Sequence, residues 1–153
     1  MPSGYLHHAP MAFASVTRLR VRSLRHMPLF SLHTLRVLSE ARRASRFVAG
    51  SLLADRKLTF WTMTVLQEQS DMRDFMTHGA HLKAMPMLLD WCDEASVVHW
   101  VQDQEKAPSW LEADTRMRNE GRPSKVRHPS PHHATLAYDV PRTAVALSFG
   151  PSR

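Results

Sequence analysis

The stretch FVAGSLLADRKLTFWTMTVLQ, residues 47–67, decides how the rest of the chain is read. Its first part, Phe47 to Ala54, and its last, Leu58 to Gln67, are both of strand length. The last is rich in Thr, Phe, Trp and Val, which fit a pleated, half-buried surface. Asp55-Arg56-Lys57 between them is a tight polar connection. Two strands joined so closely pair as a hairpin.

Upstream, Ala12 to Ser23 alternates. Phe13, Ser15, Thr17, Leu19 and Val21 fall on one side and Arg18, Arg20 and Arg22 on the other, the pattern of a half-buried strand. Between this strand and the hairpin, Pro28 suits the first turn of a helix. Leu29, Leu32, Leu35 and Leu38 then recur at helical spacing to about Ala44, with Arg36, Arg42 and Arg43 around the other side. Downstream, Ser70 and Asp71 open a second helix, with Ser70 as its N-cap. Gly79 interrupts it, and Pro86 is expected to bend or restart the next segment, which runs to about Trp91. A fourth strand spans Ser96 to Gln102. Ser109-Trp110-Leu111-Glu112 fits a capping box that opens a further helix ending at Gly121.

The order strand, helix, strand, strand, helix, strand is the ferredoxin-like βαββαβ arrangement, an α+β fold. Its sheet is expected to be antiparallel with both main helices on one face. The domain occupies 12–122, preceded by a loose leader (1–11) and followed by an irregular or disordered tail (123–153) with a weak apolar patch at Ala144 to Phe149. Met11, immediately before the first strand, is a candidate natural start. The other sheet face would leave Trp61, Met63 and Val97 in water, and a homodimer pairing two such sheets would cover them.

The chain has 153 residues, enough for one core, and a 43% apolar fraction near the globular norm. It contains no apolar run of membrane-spanning length and no signal-peptide pattern at its start. With one cysteine, Cys92, it can form no intramolecular disulfide, and a reducing cytoplasm is the simplest compartment. The net charge is +6 with histidines neutral, but the arginines are spread over several elements. No recognition helix, zinc-finger spacing or RNA-binding aromatic signature accompanies them, so nucleic acid ranks last among partners.

The run Leu58 to Met85, LTFWTMTVLQEQSDMRDFMTHGAHLKAM, resembles the antibiotic biosynthesis monooxygenase-like group of the dimeric α/β-barrel superfamily. Within that group it is most similar to a bacterial family loosely called spheroidene-monooxygenase-like. The residues that carry the resemblance are the polar turn after the strand, the acidic helix start, Met72, Phe75 and the Gly79-Ala80-His81 step, and the likeness extends over about Ala12 to Gln102. It implies a homodimer with a cavity between helices and sheet. In one branch that cavity oxidises an aromatic polyketide with O₂ and no cofactor. In a haem-degrading branch, the histidine of an alanine–histidine step ligates the haem iron. That position matches His81, while the branch's first-strand asparagine falls at Thr17 and its tryptophan at Phe75. The cofactor reading is therefore none or haem, with His81, Thr17 and Phe75 as the candidate haem contacts.

His81 is also the candidate catalytic residue, because an imidazole on a helix lining an apolar pocket can move a proton near neutral pH. His81, Met85, Leu88 and Cys92 share one helical spacing. Thr17, Phe75 and Met85 are the candidate substrate-pocket residues. Ser15, Thr17, Thr62 and Thr64 can place four hydroxyls on one sheet face, able to orient a phenol or O₂. His26 and His33 are further candidates for haem contact. Phe60, Trp61 and Trp100 read as core or dimer-facing packing, His99 as a polar group on the opposite face from Trp100, and Cys92 as a buried filler. His128, His132 and His133 in the tail lack the carboxylate or framework of a metal site, and no metal is expected. Asp93 and Glu94 are expected to end the preceding helix. No nucleotide-binding, catalytic-serine or HExxH motif is present. The leading reading is a small-molecule monooxygenase-like enzyme acting on an apolar or aromatic substrate. The alternative is a non-catalytic haem- or ligand-binding dimer.

Overall fold

The computed structural model describes residues 11–44 and 46–151, with the backbone but not the side chains of Ala80 and His81. The leader expected at 1–11 lies outside the described residues apart from Met11. The elements are β1 (Ala12–Val21), α1 (Met27–Arg43), β2 (Phe47–Ala54), β3 (Thr59–Leu66), α2 (Gln69–Met76), α3 (Gly79–Trp91), β4 (Cys92–Gln102), α4 (Trp110–Glu120), β5 (Arg122–Pro123) and β6 (Ala146–Phe149). The sheet order is β5-β4-β1-β3-β2-β6 with every neighbouring pair antiparallel. The central four strands thus form the expected βαββαβ sheet. No described helix is long and apolar enough to cross a membrane.

Period-two alternation sorts β1 and β3 cleanly onto two faces. Ala14, Val16, Trp61, Met63 and Val65 point to one side, in a core cluster with Val98 and Trp100 of β4. Ser15, Thr17, Thr62 and Thr64 point to the other, under α1, α2 and α3. Val97 was expected beside Trp61 but lies on this second side, because it is opposite Thr17 in the β1–β4 register.

The face carrying Trp61 does not wait for a second copy of the chain. Ala113 and Met117 of α4 are fully buried in its cluster, and Ala107, Trp110 and Tyr138 pack around them. The homodimer inferred from an uncovered face therefore loses that ground. The tail is not irregular throughout either: β6 extends the sheet at β2, and Ala146 to Phe149 is a strand. A Cβ at Gly50 would run into the Phe149 ring, which packs directly over this glycine. Tyr138 Oη donates to Asp114 at 2.8 Å, tying the tail to α4.

Four local expectations change. In α1, Leu38 is buried, but Leu29, Leu32 and Leu35 are 53%, 43% and 64% exposed. Leucines three apart drift by about 60° per step around a 3.6-residue helix, so they cannot share one face. Phe30, which packs at 5.3 Å on Phe60, sets the register instead. The α2 N-cap is Glu68 rather than Ser70, in a reciprocal capping box with Asp71. Pro86 sits inside α3 without ending it. It is exposed, and so is Leu82, whose carbonyl it leaves without an intrahelical donor. Asp93 and Glu94 belong to β4, where Arg20 meets Asp93 at 3.1 Å and Glu94 at 3.2 Å.

Candidate functional site

Between the sheet and α1–α3 lies a cavity of about 160 Å³. Its floor follows from register. Ser15 pairs with Thr64 and Thr17 with Thr62 across β1 and β3, so four hydroxyls form a compact block at its base. Val97 and Ala95 of β4 extend the floor. The walls are apolar: Val37 and Leu38 from α1, Met72 and Phe75 from α2, and Met85 and Leu88 from α3. Met85 is also solvent-exposed, which places it where the cavity wall meets water.

His33, on α1, is the one titratable side chain among the described wall residues. Its Nδ1 is buried and has no hydrogen-bond partner among the described residues. Its ring is held against Trp91 with centroids 5.4 Å apart and planes tilted by 50°. A buried imidazole nitrogen without a partner loses the hydrogen bond it would make in water, at a cost of about 1–3 kcal/mol. The same residue lines the cavity. Sequence reading held His33 only as a candidate haem contact, because the recurring leucines of α1 suggested a different inner face.

Thr17, Phe75 and Met85 come together on the cavity wall. His81 lies in α3, and its side chain is outside the described residues. His26 precedes α1 and accepts from Arg25 Nε at 3.3 Å, away from the wall. His99 stacks on Phe13 at 5.7 Å, and burial and Arg122 hold its imidazole below its ordinary value. The tail histidines are dispersed. His128 is 3.5 Å from Asp90, while buried His133 accepts from the Ala95 amide and donates to the Ser124 carbonyl at 2.7 Å. No group of three metal-ligating side chains occurs among the described residues.

Cys92 is fully buried, and burial, with Asp93 adding to it, pushes its thiol up to about 12. Since the thiolate is the reactive form, iodoacetamide should leave the native protein unmodified at pH 8 and label it once denaturant is added. Mass spectrometry reads the difference directly; labelling of the native chain would mean that Cys92 is reachable.

No protein-family model matches the sequence, and no curated protein matches it significantly. Solved structures do share the fold. A Nitrosomonas europaea protein described as an antibiotic biosynthesis monooxygenase superposes with a TM-score of 0.53 at 13% identity, over 58% of this chain and 88% of its own. A second structure described as an antibiotic biosynthesis monooxygenase gives 0.52 at 10% identity, over 63% of this chain and 99% of its own. The fold is that of the antibiotic biosynthesis monooxygenases. A Pseudomonas aeruginosa protein, PA3566, matches at 0.54 with 8% identity, over 62% of this chain and 97% of its own. At such identities the monooxygenase fold is shared, and the chemistry has to be argued from this chain's own residues.

Haem does not fit the monooxygenase-fold cavity. Its volume of about 160 Å³ is below the roughly 300–1,000 Å³ of pockets that hold drug-sized ligands. The described wall also has no Arg or Lys to meet the two haem propionates.

Proposed function

We propose that the chain is a small-molecule monooxygenase-like enzyme that takes an apolar or aromatic substrate into the cavity between α1–α3 and the sheet. One observation carries the reading: His33, the one titratable side chain on the described wall, shares an apolar cavity with the four-hydroxyl block of β1 and β3. The space suits a ligand of on the order of ten non-hydrogen atoms, at the volume one water needs.

An electron-rich phenol would lie with its ring against Phe75, Leu88 and Val97 and its oxygen toward Thr17 and Thr62. His33 takes the phenolic proton, and the resulting electron-rich ring reacts with O₂. In the cofactor-free case the ring carbon that is CH₂ in the phenol's keto tautomer becomes C=O. One oxygen atom stays on carbon, and the other leaves as water with the two hydrogens. His81 is a second proposed proton-transfer group, on the strength of its Ala80-His81 match alone. The homodimer implied by the resemblance would have to use a surface other than the sheet face under α4.

An oxygen electrode tests this reading with a panel of naphthol- and anthrone-type phenols. Protein-dependent O₂ uptake that survives a chelator supports it. No uptake, with saturable binding of the same phenols, would make the chain a binding protein and sink the oxygenase.

A further inference from the structure

A second, polar cavity of about 510 Å³ lies on the other side of the sheet, under the tail at the β2–β3 turn. Neighbouring residues of β1 serve the two cavities: Thr17 lines the first and Arg18 the second. Arg18 is 7% exposed, yet its guanidinium is poorly matched. Its Nε has no hydrogen-bond partner, and its ion pair with Glu94 is 3.6 Å long, beyond hydrogen-bond reach. The Tyr138 ring covers it at 4.3 Å, and desolvation works against its charge.

Two of the surrounding cations are left for an anion. Arg18, Arg20, Arg56, Lys57 and Arg118 line this cavity with Asp55, Glu94 and Asp139, while Asp93 and Asp114 pair with Arg20 and Arg118 at 3.1 and 3.0 Å. Asp55 is already occupied by the Arg56 and Arg142 amides at 2.7 and 3.0 Å and by Trp61 Nε1 at 3.4 Å. Glu94 is shared between Arg18 and Arg20. Arg56 and Lys57 are exposed in the turn and have no ion pair among the described residues.

We propose that this cavity binds a small phosphate-bearing ligand, with Arg18 meeting the phosphoryl oxygens from the buried side and Arg56 and Lys57 from the open side. Phosphate accepts several charge-assisted N–H bonds at once, and arginine's planar fork suits it. The volume falls within the range of small-molecule sites. The site is separate from the aromatic cavity and does not depend on the oxygenase reading.

Calorimetric titration with inorganic phosphate, against chloride at matched ionic strength, tests the proposal. Phosphate should bind saturably at a single site. R18Q should weaken it by at least about tenfold, the loss expected for one hydrogen bond between charged groups. R56Q/K57Q on the exposed turn, which keeps the buried Arg18 in place, provides a second arm, with an expected weakening of about fivefold. R36Q/R43Q on α1 removes the same charge away from the cavity and should leave affinity unchanged. Phosphate binding no tighter than chloride, an unaffected R56Q/K57Q, or equal weakening in R36Q/R43Q would each overturn the proposal.

Discussion

Replacing Trp61 by alanine should destabilise the protein by about 3–5 kcal/mol, the usual cost of truncating a large buried aromatic. For a chain of this length, that corresponds to a fall in Tm of roughly 6–20 °C. Trp61 is fully buried, edge-on to Trp110 at 6.3 Å and to Tyr138 at 5.5 Å. Both contacts come from segments beyond β4, so the cost reports whether α4 and the tail sit on the sheet. If that face were open to water, the same substitution would cost little. A thermal scan giving W61A within a degree or two of the parent would contradict the self-covered sheet.

His33→Ala should lower turnover on any accepted phenol by about 10²–10⁴-fold, the contribution of a positioned acid–base group. The loss should fall on kcat, with binding of the same phenol changed far less, because the apolar walls and hydroxyl block remain. His81→Ala, assayed beside it, separates the two imidazoles. A large loss in H81A with none in H33A would move proton transfer to α3 and leave His33 a packing residue. Equal activity in both variants would remove histidine from the mechanism.

How much of this was legible in the sequence depended on the range of the interaction. The hairpin and the two faces of β1 and β3 follow from period-two alternation, which any strand imposes. The hydroxyl block could be anticipated for the same reason: Ser15, Thr17, Thr62 and Thr64 share parity with their strands' helix-facing positions. The inner face of α1 could not, since evenly spaced leucines imitate an apolar stripe while the helix turns beneath them. Asp93 and Glu94, next to a helix end, read as its termination until β1 places Arg18 and Arg20 against them. The tail was the hardest part. Ahead of β6 it is held by long-range contacts such as Tyr138 to Asp114 and His133 to Ala95, in a polar stretch with no periodicity to reveal them.

Filling the cavity between the helices and the sheet tests whether it is a binding site. Val97→Phe adds a ring to the cavity floor opposite Thr17. The measurement is calorimetric binding of 2-naphthol to the parent and to V97F, each first shown to be folded by its thermal transition. The parent should show one saturable site and V97F at least about tenfold weaker binding, the cost of expelling a buried ring from its pocket. Equal affinity in the two proteins, or no saturable binding by the parent, would contradict binding in this cavity.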